Sequence, residues 1–172
     1  MKRRICVFIM LFLMCHIYAQ LVYHDASKFP LLGKATEATG ARYERLPDSL
    51  KNISRAPLWN LSRNSAGMAI RFRSNSTTIA AKWETLINFH MNHMTDVGTK
   101  GLDLYCLQEN GDWRFVNSAR PTAKTNSATI IANMQPKERE YMLYLPLYDG
   151  VASLSIGVDS LSTIDQPLVD SP

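Results

Sequence analysis

Cysteine is nearly absent from this chain, with three residues among 172. Cys6 and Cys15 lie within the first twenty residues, and Cys106 alone remains once that segment is set aside. One cysteine cannot form an intramolecular disulfide, so the fold must rely on its core for stability. Cys106 stands in an apolar stretch, which favours a small buried hydrophobic side chain over a reactive nucleophile.

Long hydrophobic runs are also missing after the N-terminus. The longest apolar run covers residues 5–14, with basic residues before it at 2–4 and the sequence His16-Ile17-Tyr18-Ala19 after it. This order is typical of a secretory signal peptide, which we place at residues 1–20. A membrane anchor is the alternative, but roughly 20 apolar residues are needed to span a bilayer. We therefore expect a secreted or periplasmic protein that has no membrane contact after signal cleavage.

The mature chain has no large excess of charge of either sign. The full sequence has 19 basic and 15 acidic residues, and losing the three basic residues of the signal peptide leaves 16 against 15. The basic character of the precursor therefore belongs mostly to its signal peptide. A net charge near neutrality predicts no nucleic-acid partner.

No segment of the mature chain has the periodicity of an amphipathic helix of ten or more residues. Residues 67–74 and 78–84 instead alternate apolar and polar side chains, which is typical of half-buried antiparallel strands. Turn residues separate some eight strands of this kind, so we predict an all-β fold, a β-sandwich or jelly roll. Asn75-Ser76 predicts one hairpin, and Asn110-Gly111 predicts another because both residues tolerate positive φ.

The apolar positions of these strands predict the buried layer of the sandwich. They are Ile70, Phe72, Ile79, Trp83, Leu102, Leu104, Trp113, Ile130, Leu143, Leu145, Leu154 and Ile156. The mature length suits one domain, which we place at residues 21–160 with an irregular lead-in over 21–40. Residues 161–172 are polar and contain proline, which predicts a linker toward a missing C-terminal domain.

A loop rich in histidine and methionine precedes the strand predicted at residues 101–107. Solvated loops are usually polar, so His90, His93 and Met94 indicate a loop that is covered by a partner. His90-x-x-His93 with nearby Asp96 has the ligand types that zinc prefers. A loop does not align the two histidines as a helix would. We therefore favour histidines that pack or hydrogen-bond at an interface, and predict no metal and no cofactor.

Tyr105 and Tyr148 lie at predicted strand ends, where exposure at an interface is as consistent with the pattern as burial. Secreted β-sandwiches often bind sugars on exposed aromatic rings, so these tyrosines are also ligand candidates. Asp103 lies between two leucines and points to the opposite strand face. It is either an exposed carboxylate or one paired with an arginine, for which Arg71 and Arg114 are candidates.

The sequence resembles a known family over most of residues 41–158. The matching blocks are Arg45-Leu46-Pro47, Leu58–Ser62, Ser65–Met68, Ile70–Ser76, His93-Met94-Thr95 with Gly98, Gly101-Leu102-Asp103-Leu104-Tyr105, Trp113, Arg120-Pro121, Tyr144–Val151 and Ile156–Val158. They are similar, in the same order, to the N-terminal β-sandwich (GxDLY-type) domain of secreted SGNH-type esterases. The resemblance implies a two-domain enzyme that removes acyl groups from carbohydrate, with the β-sandwich packed on the SGNH domain.

The catalytic residues of such an esterase are not recognisable in this chain. An SGNH hydrolase needs a serine in a Gly-Asp-Ser-like block, oxyanion donors and a late histidine base. Gly157-Val158-Asp159-Ser160 imitates the serine block, but no histidine follows it. We therefore predict no catalytic residue and expect that the chain alone is not an enzyme, against the less favoured hypothesis of a complete small hydrolase.

Two functions remain as the main hypotheses. The first is a non-catalytic accessory domain that packs against and supports an SGNH catalytic domain, in cis or in trans, with residues 86–99 in the interface. The alternative is a free-standing carbohydrate-binding β-sandwich module. The candidate interface or ligand residues are His90, His93, Met94, Asp103, Tyr105 and Tyr148.

Overall fold

The computed structural model of the protein describes residues 20–168. All but the last residue of the predicted signal peptide lies outside this range, so the signal peptide stays a prediction. The strands of the described range are β1 (Leu21–Asp25), β2 (Leu31–Leu32), β3 (Ala69–Ser74), β4 (Ile79–Thr85), β5 (Leu102–Leu107), β6 (Trp113–Ala119), β7 (Thr125–Ile131), β8 (Arg139–Tyr144), β9 (Val151–Asp159) and β10 (Ile164–Asp165). The helices are α1 (Ala56–Ser62) and α2 (Asp96–Lys100), with 3-10 turns at Ala26–Lys28 and Asp48–Leu50.

The strands form two antiparallel sheets around a shared core. One sheet has the strand order β1-β9-β4-β7, and the other has the order β10-β3-β8-β5-β6 with β2 also paired to β3. This confirms the all-β sandwich that the alternating pattern predicts. Residues 20–168 contain ten strands instead of about eight, and two of the ten, β2 and β10, have only two residues each. Within residues 20–168, no helix is long and apolar enough to cross a membrane.

The core between the sheets contains eleven of the twelve predicted core residues, and Trp113 is the exception. Near its centre Phe72 stacks on Tyr141 with ring centroids 5.4 Å apart. Burial raises the pKa of Tyr141 to about 12, so the phenol stays neutral at physiological pH. Cys106 is also buried, as predicted, and burial raises the pKa of its thiol.

Trp113 does not belong to the core, and that prediction was wrong. The pairing of β5 with β6 shifts by one residue between Leu104 and Tyr105, which is the geometry of a β-bulge. An extra residue inverts the alternation of faces, so Val116 packs against the core while Trp113 stays half-buried on the outer face. There its ring lies 5.5 Å from Cζ of Arg71, a cation–π contact.

The predicted hairpin at Asn75-Ser76 is also wrong. The strands before and after it belong to different sheets, since β3 pairs with β8 while β4 pairs with β7 and β9. Residues 75–78 therefore cross from one sheet to the other. Ser76 is fully buried in this crossing, and its Oγ donates to the carbonyl of Thr78 at 2.7 Å. Alternation marks the buried face of a strand, but it does not identify the strand beside it.

The second predicted hairpin is confirmed. Strands β5 and β6 pair in antiparallel fashion, and residues 108–112 make the turn between them. Gly111 has φ of 87° and its N–H donates to the carbonyl of Gln108 at 3.0 Å. The turn uses the positive φ that glycine adopts at little cost.

The ends of the domain are more regular than the sequence pattern predicts. Residues 21–25, which we expected to be irregular, form edge strand β1 against β9. Within the predicted linker, β10 pairs Ile164 with Ser74 and Asp165 with Arg73. Neither short segment alternates clearly enough to predict a strand. Each becomes a strand because the edge of the neighbouring sheet supplies its hydrogen-bond partners. Residues 169–172 lie outside the described range.

Asp159 hydrogen-bonds to residues 75–78, which connect β3 to β4, and this makes the stability of the fold depend on pH. Burial alone would raise its pKa, but hydrogen bonds from Thr77 and Ser76 outweigh burial and lower it. Asp159 Oδ2 accepts from the N–H and the hydroxyl of Thr77 at 2.8 and 2.6 Å. Because the folded-state pKa is depressed, this stabilisation is complete above the ordinary aspartate pKa and is lost as the pH falls through the folded-state value.

We expect Asp159→Asn to lower the free energy of unfolding by about 2 kcal/mol at neutral pH. The difference between the parent and the variant should shrink as the pH falls below about 4, because protonation removes the charge from the parent as well. Urea unfolding at several pH values measures both effects. A difference that is independent of pH would contradict the assignment.

Candidate functional site

Asp149 is a buried residue that hydrogen-bonds to the backbone of the loop between β4 and α2. Its side chain is fully buried and accepts hydrogen bonds from the backbone N–H groups of Ile87 at 3.1 Å and Phe89 at 2.9 Å. It also accepts from Gly150 N–H at 2.8 Å. Hydrogen bonds to a carboxylate are stronger than those between neutral groups. The loop after β8 and the loop after β4 are therefore joined as one unit.

Lys100 is a second buried anchor of the same loop. Its side chain is 1% exposed, and its Nζ donates to Asn88 Oδ1 at 2.6 Å and lies 3.4 Å from Asp96 Oδ2. Nζ also lies 3.2 Å from Nε2 of His90, whose Nδ1 is 2.9 Å from Asp96 Oδ1. Lys100 can thus donate to a His90 ring that itself donates to Asp96. Asn88 has φ of 62°, a conformation that asparagine tolerates better than most residues.

The other residues of the histidine and methionine loop lead into α2. His93 is exposed, and its Nδ1 lies 2.8 Å from the side-chain oxygen of Asn92. Met94 is half-buried beside Gly98. Thr95 caps α2 by accepting from the N–H of Gly98 through Oγ1. His93 and His90 therefore have different hydrogen-bond partners, although the two histidines are three residues apart.

Apolar side chains project outward from the anchored loops. Ile87 is 59% exposed, Phe89 43%, Leu147 52% and Tyr148 38%. We call these four residues the apolar surface. Ile87 and Phe89 share the Asp149 anchor, while Leu147 and Tyr148 directly precede it, and the Tyr148 N–H donates to the Thr99 carbonyl at 2.9 Å. The apolar surface therefore occupies one end of the sandwich. Its backbone is held by the hydrogen bonds of the buried Asp149 and Lys100 side chains.

The pentapeptide Gly101–Tyr105 begins β5 beside this end. A Cβ atom at Gly101 would collide with the carbonyl oxygen of Val97 and would lie 3.0 Å from that of Ala119. Glycine is required here by close backbone approach, since its φ of −76° is ordinary. Leu102 and Leu104 enter the core, whereas Asp103 and Tyr105 point to the outer face of the sheet.

Asp103 is half-buried, and its Oδ1 accepts a hydrogen bond from the hydroxyl of Ser118 at 2.6 Å. Of the two candidate arginines, Arg71 is in a buried ion pair with Glu140, and Arg114 is exposed on β6. Tyr105 lies in the middle of β5 and not at its end. Its ring meets Tyr144 at 5.4 Å and Phe115 at 5.6 Å, both edge-on.

A groove of about 330 Å³ separates the apolar surface from the outer face of β5. We call it the β5 groove. It is lined by Gly67, Val97, Gly98, Gly101, Asp103, Tyr105, Tyr144, Leu145 and Leu147. A larger groove of about 650 Å³ lies at the opposite end of the sheet. Two ion pairs lie among its lining residues, Arg73 with Glu138 and Lys137 with Glu109.

The structure sorts the predicted site residues into separate places. Asp103 and Tyr105 line the β5 groove, and Tyr148 belongs to the apolar surface beside it. His90 joins the Lys100 cluster. Sequence reasoning missed Lys100 and Asp149, because a lysine and an aspartate in loop sequences give no sign of full burial. Ile87 and Phe89 lie within residues 86–99, which were predicted to be in an interface, although neither residue was singled out.

Metal-ligand and nucleophile candidates are scattered over the described residues. Between residues 20 and 168, no three His, Cys, Asp or Glu side chains form a group that could hold a metal ion. Ser160 is exposed after β9, where its N–H donates to the Gln20 carbonyl at 2.9 Å. Strand β9 runs the length of the sandwich from Gly150, so Ser160 lies at the end opposite the apolar surface.

Comparison with known proteins relates this geometry to a family. A family model described as GxDLY, the N-terminus of SGNH-hydrolase-type esterases, matches residues 21–164. The pentapeptide Gly101–Tyr105 carries the motif of that description. None of the curated proteins matches the chain.

Solved structures share the fold. A candidate GDSL-like lipase from Bacteroides ovatus ATCC 8483 is 37% identical with a TM-score of 0.81, over 87% of this chain and 44% of that one. The salicylyl-acyltransferase SsfX3 from a tetracycline biosynthetic pathway is 12% identical with a TM-score of 0.59, over 88% of this chain and 42% of that one. The second likeness concerns the fold alone. The chain spans less than half the length of either protein. Since the family match covers most of the chain, this protein belongs to the GxDLY family, the N-terminal domain of SGNH-hydrolase-type esterases.

Proposed function

We propose that this chain is the non-catalytic N-terminal accessory domain of an exported SGNH-type esterase, and that it packs against and supports the catalytic domain. The observation that carries the proposal is the apolar surface on its locked loops. A mobile loop can fold apolar side chains inward, but the hydrogen bonds of Asp149 and Lys100 hold this backbone in place. Exposed apolar groups on a rigid frame are the property of a preorganised interface.

The surroundings of the apolar surface suit a protein partner. The His90–Asp96 pair and exposed His93 follow Phe89 in the chain, and both can hydrogen-bond at the rim of an interface. The apolar surface itself offers Phe89 and Tyr148, and aromatic residues are enriched at protein interfaces. The partner face should therefore be apolar at its centre and polar at its edge.

The enzyme containing this domain would act on acylated carbohydrate outside the cytoplasm. Support for this comes from the ordered sequence blocks shared with secreted SGNH-type esterases and from the signal-peptide pattern of residues 1–20.

The proposal that this chain is the accessory domain of an SGNH-type esterase is tested by sequencing the gene beyond codon 172. An SGNH serine block in the same reading frame would show an arrangement in cis, and one in a separate adjacent gene would favour association in trans. Absence of an SGNH serine block from both the rest of this reading frame and the adjacent genes would count against the proposal.

A chimeric enzyme tests the docking. Residues 21–168 of this chain would replace the matching N-terminal part of the Bacteroides ovatus relative. We expect a single thermal transition in calorimetry and hydrolysis of an aryl acetate. The double variant Ile87→Asp with Phe89→Asp should split the transition in two, because burying two unpaired carboxylates would weaken the domain contact about 100-fold or more.

Leu161→Asp is the matched control for the docking variant. Leu161 is 98% exposed and follows β9 at the opposite end of the sandwich. The control should leave the single transition and the hydrolysis rate unchanged. Docking through the apolar surface would be refuted if both variants behaved alike, or if the double variant kept one transition.

A further inference from the structure

The β5 groove has the size and shape of a small ligand site. Its volume of about 330 Å³ lies at the lower end of the range for small-molecule pockets. Three of its lining residues are glycines, and one of them leaves room beside the backbone. At Gly67, with φ of 81°, a Cβ atom would meet nothing within 4 Å, so the groove is open at that wall.

The polar groups of the groove select against anions. Asp103 is the one charged residue among those that line it, and no lysine, arginine or histidine does. The hydroxyl of Ser118 donates to Oδ1 of Asp103 at 2.6 Å, and a carboxylate has about four lone-pair sites, so it can accept further hydrogen bonds. An ionised carboxylate is an acceptor only, so its ligand must bring donors, either hydroxyl groups or an ammonium group.

The apolar wall of the groove suits the C–H face of a ring. Tyr105 and Tyr144 meet edge-on with an interplanar angle of 75°. Two rings at this angle can also hold a cation over their faces, so an organic cation is the competing ligand in the test below. A sugar ring, in contrast, lays its C–H face on a single aromatic or aliphatic wall and directs its hydroxyls to polar groups. Val97 and Leu147 extend the apolar wall.

We propose that the β5 groove binds a neutral pyranose unit of a carbohydrate, with Asp103 accepting a sugar hydroxyl and Tyr105 and Tyr144 contacting the ring. This inference names a substrate contact on the accessory domain itself and rests on the carbohydrate class proposed above, not on docking. The groove adjoins the apolar surface through Leu147. A catalytic domain docked on the apolar surface would therefore lie beside a sugar that this domain already holds.

Amide chemical shifts of the whole mature chain test the site. The probes are methyl glycosides of xylose, glucose, galactose and mannose, with tetramethylammonium as the competing cation. We expect at least one glycoside to shift the amides of residues 101–105 and 144–147 with a dissociation constant on the order of 1 mM. Tyr105→Leu and Asp103→Asn should each weaken that binding about tenfold or more. Tyr23→Leu, on the other sheet, should not change it.

Several outcomes would overturn the proposal. They are no shift at these amides with any glycoside, preferential binding of tetramethylammonium, or unchanged affinity in both groove variants. Should Tyr105→Leu fail to fold, Tyr144→Leu replaces it, because Tyr144 is 38% exposed. The double variant Ile87→Asp with Phe89→Asp should bind the glycoside like the parent chain. A docking failure and a sugar-binding failure are thereby distinguished.

Discussion

Replacing Asp149 with alanine is expected to lower the free energy of unfolding by about 4 kcal/mol. The change removes a buried acceptor and leaves the N–H groups of Ile87, Phe89 and Gly150 without it. Each buried donor without a partner costs about 1–3 kcal/mol, and partial rearrangement of the loop limits the sum. Urea unfolding of the parent and the variant measures the difference.

Hydrogen exchange locates the effect of the Asp149 change. The amides of Ile87 and Phe89 should lose their protection in the variant, while those of β4 and β9 keep theirs under native conditions. Asp165→Ala is the control, because Asp165 is exposed in β10, and it should change stability by less than about 0.5 kcal/mol. A loss of less than about 1 kcal/mol in the Asp149 variant would contradict the anchoring role.

The same variant has a consequence for docking. Asp149 is fully buried and cannot touch a partner. If the apolar surface depends on a locked backbone, Asp149→Ala should nevertheless split the thermal transition of the chimeric enzyme. Retention of a single transition would show that the apolar side chains act without preorganisation.

Replacing Gly101 with alanine is expected to lower the free energy of unfolding by about 3 kcal/mol. The added methyl group would meet backbone oxygens of Val97 and Ala119, and a backbone cannot move aside as a side-chain tip can. Either the C-terminus of α2 or the pairing of β5 with β6 must shift. Thermal and urea unfolding measure the loss.

Gly98→Ala is the matched control within the same turn of chain. The new methyl group would lie 3.2 Å from Cγ of Met94, a flexible side chain that can adjust. We expect the free energy of unfolding to change by less than about 1 kcal/mol. Alanine has a higher helix propensity than glycine, and this gain partly offsets the close contact with Met94. Equal losses at Gly98 and Gly101 would show that close backbone approach does not explain the glycine of the pentapeptide.

Each position of the pentapeptide has a different physical role. Gly101 allows α2 to end against the start of β5, and Leu102 and Leu104 fill the core. Asp103 ties β5 to β6 through Ser118, and Tyr105 packs edge-on against its neighbours across the sheet. The motif thus joins the loop region to the outer sheet face, where both proposed functions are located.

Strand positions were predictable because burial of one sheet face imposes a period of two on the sequence. That rule located most strands and all but one of the proposed core residues. It failed at Trp113, where a bulge inverted the phase, and at Asn75-Ser76, where the chain crosses between sheets. Both failures concern the relation of a strand to its neighbour, and a local pattern contains no information about that neighbour.

Local order along the chain was thus enough to predict an all-β domain that contains a glycine–aspartate–tyrosine strand. Burial of Asp149 and Lys100, the outward position of Ile87 and Phe89, and the groove beside Tyr105 depend on residues far apart in sequence. Such features arise only when two sheets and their loops come together. Long-range packing determines which polar groups lose water, and so it determines the site.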